Sequence, residues 1–210
     1  MKVTLVGNTI TSDLICGQAA AICTKSSKPL KALESALESG HYGVLEHAVF
    51  TFRIEGLSRA ALAQLTRHRL ASFDVQSQRY VRISSDNLVL PQTFEEHEDL
   101  AARVNNLMEE VMDLYQDLVD AGVPKEDARY ITPQAVPTVL IMTMNARELL
   151  HFFSLRCCNR AQWEIRELAD QMLVLCKETA PTIFRKAGPD CVTGTCHEKH
   201  PCGNPRSKEW

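Results

Sequence analysis

The chain has 210 residues, of which 45% are hydrophobic, and its formal net charge is −3 at pH 7. That length is sufficient for one domain with a sizeable core, and the acidic balance excludes a general nucleic-acid or membrane-surface binder, because such proteins carry a broad excess of positive charge. The first residues, MKVTLVG, lack the apolar region of a signal peptide, and no apolar run is long enough to span a bilayer. We therefore expect a cytoplasmic protein whose cysteines are mostly reduced thiols.

The apolar pattern predicts a mixture of strands and helices in the first half of the chain. MKVTLVG alternates well enough to be a strand. Residues 28–38 follow a helical pattern with Gly40 as its stop. The stretch HAVFTFRIEG (47–56) is rich in β-branched and aromatic residues, which indicates a second strand. Residues 58–68 are predicted as a helix, and the arginine-rich stretch after them as a loop.

The second half contains longer helical patterns. We predict helices over 95–121, 145–158 and 162–186, with a short helix opened by Pro124. VPTVLIMTM is predicted as a strand between them. The irregular mixture favours an α+β fold with a mixed or antiparallel sheet and several long helices. We expect a single domain over residues 1–188 and a tail rich in Cys and His over 189–210.

Positive charge is concentrated in TRHRLASFDVQSQRY (66–80), which holds Arg67, His68, Arg69 and Arg79 with Asp74 as its only acid. The chain has no glycine-rich phosphate loop, so a phosphate would have to be bound by arginines through bidentate hydrogen bonds. One interpretation of these cations is that they satisfy the carbonyls and dipole at a helix C-terminus. The density of charge favours a bound small anion instead.

A second group of cations lies in NARELLHFFSLRCCNRAQWEI. On a helix from Asn145, Arg156 falls near the middle of an apolar face formed by Leu149, Phe152 and Phe153. An unpaired guanidinium is costly there, so Arg156 must reach solvent, pair with a core carboxylate or meet a bound anion. Arg147 and His151 fall on the opposite side of this helix, one turn apart.

Two further stretches carry groups able to do chemistry. His41, Glu46 and His47 in GHYGVLEHAVFTF do not match a helical zinc motif, and by themselves they predict a buried polar network at the start of a strand. The tail offers zinc-type ligands at irregular spacing, and free thiols on a flexible tail are the alternative. The candidate ligands are Cys191, Cys196, His197, His200 and Cys202.

The spacing Arg67-His68-Arg69, seven residues, Ser77, one residue, Arg79 resembles the RHRx7SxR signature of the flavin-dependent thymidylate synthases. The segments GHYGVLEHAVFTF, AGVPKEDARYITP and NARELLHFFSLRCCNRAQWEI resemble other parts of that family. The resemblance implies an enzyme, a methyltransferase of nucleotide biosynthesis that converts dUMP to dTMP. It also implies FAD as cofactor, methylenetetrahydrofolate and NADPH as co-substrates, and a homotetramer with shared active sites.

The resemblance also implies roles for single residues, with Arg156 as the catalytic group that stabilises charge on the pyrimidine. The residues at family dUMP-binding positions are Gln64, Leu65, Thr66, Arg67, Val75, Gln76, Ser77, Gln78, Arg79, Arg129 and Arg156. Those at or near family FAD-binding positions are His41, Gly43, Glu46, Arg67, His68, Arg69, Val75, Asn145, Ala146, Arg147 and His151. Gly43 departs from the family by lacking a hydroxyl, and Arg160 stands where some members have His.

Two other classes of function compete with this interpretation. A nucleic-acid-binding module would use the basic segment 66–82, but it would need base-reading residues on an exposed helix face. An interaction protein without catalysis would use a zinc-bound tail. A bound flavin would favour the enzyme, and bound metal would favour the interaction protein.

Overall fold

The computed structural model describes residues 1–84, 86–194 and 196–206, so residues 195 and 207–210 of the predicted tail lie outside the described part. Four strands form one antiparallel sheet in the order β1-β2-β4-β3. The α+β class predicted from the sequence is confirmed, with an antiparallel sheet. The strands are β1 (Lys2–Asn8), β2 (Val49–Ser58), β3 (Ala71–Val75) and β4 (Pro137–Asn145).

Helices precede, interrupt and follow these strands. The α-helices are α1 (Ser12–Thr24), α2 (Pro29–Glu38), α3 (Arg59–Leu65), α4 (Glu98–Asp120), α5 (Lys125–Ala128), α6 (Ala146–Arg156), α7 (Trp163–Thr179), α8 (Pro181–Phe184) and α9 (Asp190–Thr193). Short 3-10 helices cover Tyr42–His47, Gln92–Phe94 and Arg129–Ile131. None of the described helices is both long and apolar enough to cross a lipid bilayer.

Helix α1 was not predicted, because its buried face is made of small residues rather than a leucine stripe. That face consists of Ser12, Cys16, Gly17, Ala20 and Ala21. A Cβ at Gly17 would lie 2.7 Å from the carbonyl oxygen of Pro29, so glycine is what allows α1 to approach the start of α2. Close backbone packing therefore replaces side-chain bulk here.

Three other predictions of secondary structure were wrong in part. Residues 71–75, predicted as loop, form the edge strand β3, in which exposed Ser72 and Asp74 alternate with half-buried neighbours. Helix α3 ends at Leu65, so the cations that follow lie in a turn. The helix predicted over 162–186 is divided at Ala180, because the residue before a proline is disfavoured in helical conformation.

The core lies between one face of the sheet and the helices that follow β4. Phe50 and Phe52 of β2 stand opposite Met144 and Met142 of β4, and all four are fully or almost fully buried. Phe152 and Phe153 of α6 and several apolar residues of α7 complete the same cluster. Burial of each large apolar side chain contributes about 1.5–3 kcal/mol, so this cluster dominates the stability of the fold.

The register of the sheet gathers three segments at one end. Ala71 pairs with Met144 and Val49 pairs with Asn145, so the turn before β3 and the 3-10 helix before β2 both adjoin the start of α6. At the opposite end, Val75 pairs with Leu140 and Ser58 with Pro137. Residues 76–79 therefore lie near the start of α3, one strand length away from the cations at 67–69.

A buried carboxylate joins the two halves of the chain. Glu164, in the first turn of α7, accepts hydrogen bonds from the backbone N–H and the hydroxyl of Ser58, both at 2.6 Å. The Ser58 hydroxyl in turn accepts from the N–H of Ala61 at 3.0 Å and so caps α3. Both side chains are almost completely buried. This contact fixes where β2 ends and α3 begins.

We expect Glu164→Ala to lower the free energy of unfolding by about 2–4 kcal/mol, because it leaves the buried N–H of Ser58 without an acceptor. Chemical denaturation at one fixed protein concentration measures this. Glu178→Ala, at an exposed position of the same helix, is the matched control and should change stability by less than about 0.5 kcal/mol. Equal losses in the two variants would contradict the role given to Glu164.

Candidate active site

Helix α6 carries several of the predicted site residues, and its start is fixed by a side-chain cap. Asn145, in extended conformation, accepts a hydrogen bond from the N–H of Glu148 at 2.9 Å. The cap ends β4 and directs α6 across the end of the sheet. Arg147 Nη1 then donates to the carboxylate of Glu46 at 2.6 Å. Two residues that sequence reasoning assigned to the flavin are thus in direct contact.

A cavity of about 750 Å³ opens beside this contact. Glu46, Asn145, Arg147 and His151 line one part of it, and the segment containing Arg185 and Lys186 lines another. Its size is within the range of roughly 300–1,000 Å³ that ligand pockets usually have. Sequence reasoning did not assign the segment after α8 to any site, because its cations belong to no motif.

The residues around the 3-10 helix do not form the buried network that the sequence alone predicted. His41, Gly43, Glu46 and His47 are all exposed. Glu46 borders the cavity, whereas His41 and Gly43 lie outside its lining. The prediction was wrong because Leu45 and Ala48 fill the core beneath them, which leaves the polar residues of this segment on the surface.

His68 lies at the centre of a buried polar chain that joins the arginine-rich turn to α6. Its Nδ1 is 3.2 Å from an oxygen of Glu148, and its Nε2 accepts a hydrogen bond from Arg156 Nε at 3.0 Å. His68 and Glu148 are 6% and 7% exposed, respectively. The ring also contacts Phe152 edge-on, with centroids 5.0 Å apart. Both nitrogens of His68 are therefore engaged within the protein.

The surroundings of these hydrogen-bonded side chains favour a neutral His68 beside a charged Arg156. Burial lowers the pKa of His68 below its ordinary value, and the charge of Arg156 acts in the same direction, against the opposing effect of Glu148. Burial also lowers the pKa of Arg156, as does the neighbouring Arg67. Since an arginine is protonated throughout the ordinary pH range, Arg156 keeps its charge despite the lowered pKa.

The position of Arg156 corrects one detail of the helical-wheel argument. Leu149, Phe152 and Phe153 are fully buried as predicted, but Arg156 lies at the end of α6, half-buried and bonded to His68. It is therefore neither an unpaired charge in the core nor the partner of a carboxylate. The remaining donors of its guanidinium can be presented to a ligand.

The other end of β3 and β4 gathers a second group of donors. Arg59 Nη2 donates to the carbonyl of Gln76 at 2.9 Å. Among the residues that the structure describes, the buried Arg59 Nε, Gln78 Nε2 and Thr138 hydroxyl have no hydrogen-bond partner. Burial lowers the pKa of Arg59, and the charge of Arg129 adds to this effect. Donors that lack acceptors, in a positive environment, suit an anionic or carbonyl-bearing ligand.

Two adjoining cavities reach these donors. One of about 500 Å³ is lined by Arg59, Gln76, Ser77 and Gln78. The other, of about 330 Å³, is lined by Arg59, Thr66, Gln78 and Arg129. Part of the predicted dUMP set is therefore gathered here. Arg59 was missed because an arginine at a helix start carries no signature in the sequence.

The remaining predicted residues are more dispersed. Arg79 pairs with Glu126 at 2.6 Å on the surface, away from His68. Leu65 is fully buried in the core, so it can offer a ligand only its backbone. Arg67 and Arg69 are exposed in the turn, and neither side chain forms a hydrogen bond or ion pair with any described residue. Gln64 in α3 and Val75 in β3 are half-buried.

The cysteines and histidines of the tail do not converge on one point. No group of three or more ligands able to hold a metal ion occurs among the described residues. The His197 ring pairs with Asp190 at 2.9 Å, and the Cys202 thiol donates to the carbonyl of Asn204 at 3.2 Å. All eight cysteines are free thiols. The suggested zinc site is therefore not supported.

Arg160, whose relation to flavin was in question, contacts the tail instead. It hydrogen-bonds the carbonyl of His200 and pairs with Glu198 at 3.7 Å. Nearby, Arg206 pairs with Asp170 of α7 at 2.8 Å. The described part of the tail is thus tied to the corner between α6 and α7.

A family model described as thymidylate synthase complementing protein matches residues 4–182. The chain belongs to this family. The resemblance that the signature indicated is confirmed, and the nucleic-acid-binding alternative is not supported. The basic segment that it required is divided between a turn and the edge strand β3, and α3 buries Ala61, Leu62 and Leu65.

Relatives within the thymidylate synthase complementing protein family are similar over most of the chain. The flavin-dependent thymidylate synthase of Geobacter sulfurreducens is 48% identical over 212 residues, which cover 94% of this chain and 91% of that protein. The flavin-dependent thymidylate synthase of Pyrococcus furiosus is 47% identical over 178 residues, covering 80% and 73%.

A solved structure shares the fold. It is the UMP/dUMP methylase PolB from Streptomyces cacaoi, bound with 5-Br dUMP. It aligns with a TM-score of 0.75 and 24% identity over 88% of this chain and 93% of that one. At that identity the likeness establishes the fold alone.

Proposed function

We propose that this chain forms dTMP from dUMP, with methylenetetrahydrofolate as carbon donor, NADPH as reductant and FAD as cofactor. The observation that carries the proposal is the convergence of the signature turn and α6. His68 of the turn bonds Arg156 at 3.0 Å, and Arg147 lines a cavity of about 750 Å³ nearby. The names of its close relatives support the same reaction.

The large cavity has the size of a flavin-nucleotide site and offers donors for its phosphates, beside carboxylates such as Glu38 and Glu46. Arg147, His151 and Lys186 offer donors for phosphate oxygens, and Leu70 and Leu150 offer apolar contact for a ring. When bound, FAD would supply hydride chemistry that side chains cannot perform. Of the predicted flavin set, Glu46 and Asn145 border this cavity, and we assign the exposed Arg67 and Arg69 to the same ligand.

We assign dUMP to two groups of cations and amides, one near each end of β3. Arg156 would hold the pyrimidine and stabilise the negative charge that develops on it, since its guanidinium stays protonated and His68 occupies only its Nε–H. Arg129, Gln78 and Ser77 would bind the polar remainder of the nucleotide, where buried donors lack acceptors.

A homotetramer with shared sites accounts for the separation of these groups. The strand β3 has five residues and spans roughly 16 Å, and Arg156 and Ser77 lie beyond its opposite ends. A single mononucleotide would have to extend along most of that length to contact both groups within one protomer. We therefore propose that the two halves of the dUMP set are contributed by different subunits.

The first prediction tests the function itself. We expect the purified protein to bind FAD and to oxidise NADPH faster when dUMP is present, because the nucleotide completes the site. Flavin absorbance, NADPH consumption and dTMP formation measure this. A protein that remains colourless after incubation with excess FAD would contradict the proposal.

The second prediction concerns Ser77. Its oxygen accepts a hydrogen bond from the N–H of Arg79 at 3.2 Å, and no described histidine or carboxylate hydrogen-bonds to it. A hydroxyl without a base is a poor nucleophile. We expect Ser77→Ala to weaken dUMP binding while some turnover remains. Background turnover with normal binding of dUMP and FAD would show that the hydroxyl takes part in the chemistry.

The third prediction concerns Arg156. Lysine keeps the charge but loses the planar donor fork, so Arg156→Lys should fold and bind FAD yet lose dTMP formation by about a hundredfold. Single-turnover dTMP formation and FAD titration measure the two effects. Arg53→Lys changes an arginine on the exposed face of β2 and should keep wild-type rates. An Arg156→Lys variant as fast as this control would refute the assignment.

A further inference from the structure

Glu148 is a buried carboxylate that belongs to neither of the ligand sets. It lies in the first turn of α6, one residue after Arg147, and is 7% exposed. Its backbone N–H donates to the cap residue Asn145. Glu148 and its neighbour Arg147 both contribute to the lining of the cavity of about 750 Å³, but Glu148 is almost completely buried whereas Arg147 is exposed. Burying a carboxylate costs free energy unless hydrogen-bond partners compensate for its lost hydration. The residue that bonds to Glu148 therefore indicates what Glu148 does.

That partner is His68, and the bond has a defined direction. An arginine Nε–H can only donate, so His68 Nε2, 3.0 Å away, must be the acceptor. A neutral imidazole has one donor and one acceptor nitrogen, so the proton lies on Nδ1. Nδ1–H then donates to Glu148 at 3.2 Å. The contacts on both sides of the ring thus select one tautomer.

We propose that Glu148 is a positioning residue for the reaction: by holding His68 in the Nδ1–H tautomer, it keeps Nε2 as the acceptor that orients the Arg156 guanidinium. This inference rests on the proposed function only in placing Arg156 against the pyrimidine. The geometry of the three side chains is independent of it.

The alternative states of His68 show why the tautomer matters. In the Nε2–H tautomer or the imidazolium, two N–H groups would face each other between His68 and Arg156, and the guanidinium would turn away. The charged or titratable groups that face His68 are Glu148, Arg156 and His151, whose ring centroid lies 6.2 Å away, and Arg67 acts through Arg156. Of these, Glu148 is the acceptor for Nδ1–H.

The test compares Glu148→Gln with Glu148→Ala. An amide oxygen at position 148 still accepts from Nδ1–H, so Glu148→Gln should keep the tautomer and a kcat within about threefold of wild type. Glu148→Ala removes the acceptor, so the tautomers should mix and kcat should fall roughly ten- to a hundredfold, as a displaced catalytic group causes. Long-range proton–nitrogen NMR of ¹⁵N-histidine protein, with His68→Asn for assignment, reads the tautomer directly without ligands.

Two further measurements separate positioning from a purely structural role. In an Arg156→Lys background, Glu148→Ala should cost little more in kcat, because a residue that acts through Arg156 has nothing left to orient. In Glu148→Gln, the titration of His68 should move to lower pH, because the carboxylate that favours the imidazolium is gone. Glu178→Ala, on an exposed face of α7, serves as the control for both.

The inference is overturned if Glu148→Gln loses as much kcat as Glu148→Ala, if His68 is found as the Nε2–H tautomer, or if the loss is the same with Lys at 156. If Glu148→Ala does not fold, the NMR tautomer and the titration of Glu148→Gln decide the question. Wild-type protein that shows the Nδ1–H tautomer but forms no dTMP would refute the proposed function and leave the hydrogen-bond geometry standing.

Discussion

Strand β4 is hydrogen-bonded on both edges, with Val49 of β2 opposite Asn145 on one side and Ala71 of β3 opposite Met144 on the other. This register decides which parts of the chain meet. A slip of one residue would turn Met142 and Met144 out of the core and carry the turn at 66–70 away from α6. The alternating buried residues of β2 and β4 hold the register, so packing of the apolar face indirectly positions the polar site.

The sequence predicted β1, β2, β4 and the long helices because apolar periodicity governs them, and it predicted the family because five fixed positions lie in one short stretch. It did not predict α1, whose close packing depends on Gly17 and other small residues that give no leucine pattern. It did not predict β3, because ASFDV is a short alternating stretch within the arginine-rich segment that was predicted as a loop. The partners of Arg156 and Arg160 are 38 or more residues away, and only the fold could reveal them.

Charge is distributed unevenly around the site, and the distribution has a physical consequence. Arg79, Arg82 and Arg147 each pair with a carboxylate on the surface. Arg59 and Arg156 instead have only neutral protein acceptors among the described residues, and each has its pKa lowered by burial and by another arginine. An anionic ligand would relieve both kinds of penalty. Arg59 and Arg156 thus differ from Arg147, which lines the flavin cavity but already has a carboxylate partner.

Two buried acids, Glu148 and Glu164, occupy the first turns of successive helices, where the helix dipole favours a negative charge. Glu164 holds Ser58, whose hydroxyl is neutral and does not change its charge with pH. Glu148 holds His68, whose pKa is lowered in the folded protein. As the pH falls below the ordinary histidine pKa of about 6.5, the unfolded chain takes up a proton that folded His68 resists, and the stability gained from neutral His68 declines. At still lower pH His68 is protonated in the folded protein as well, and its Nε2 can no longer accept the hydrogen bond from Arg156. The same arrangement of acid and helix therefore holds a neutral hydroxyl in the core and a titratable imidazole at the site.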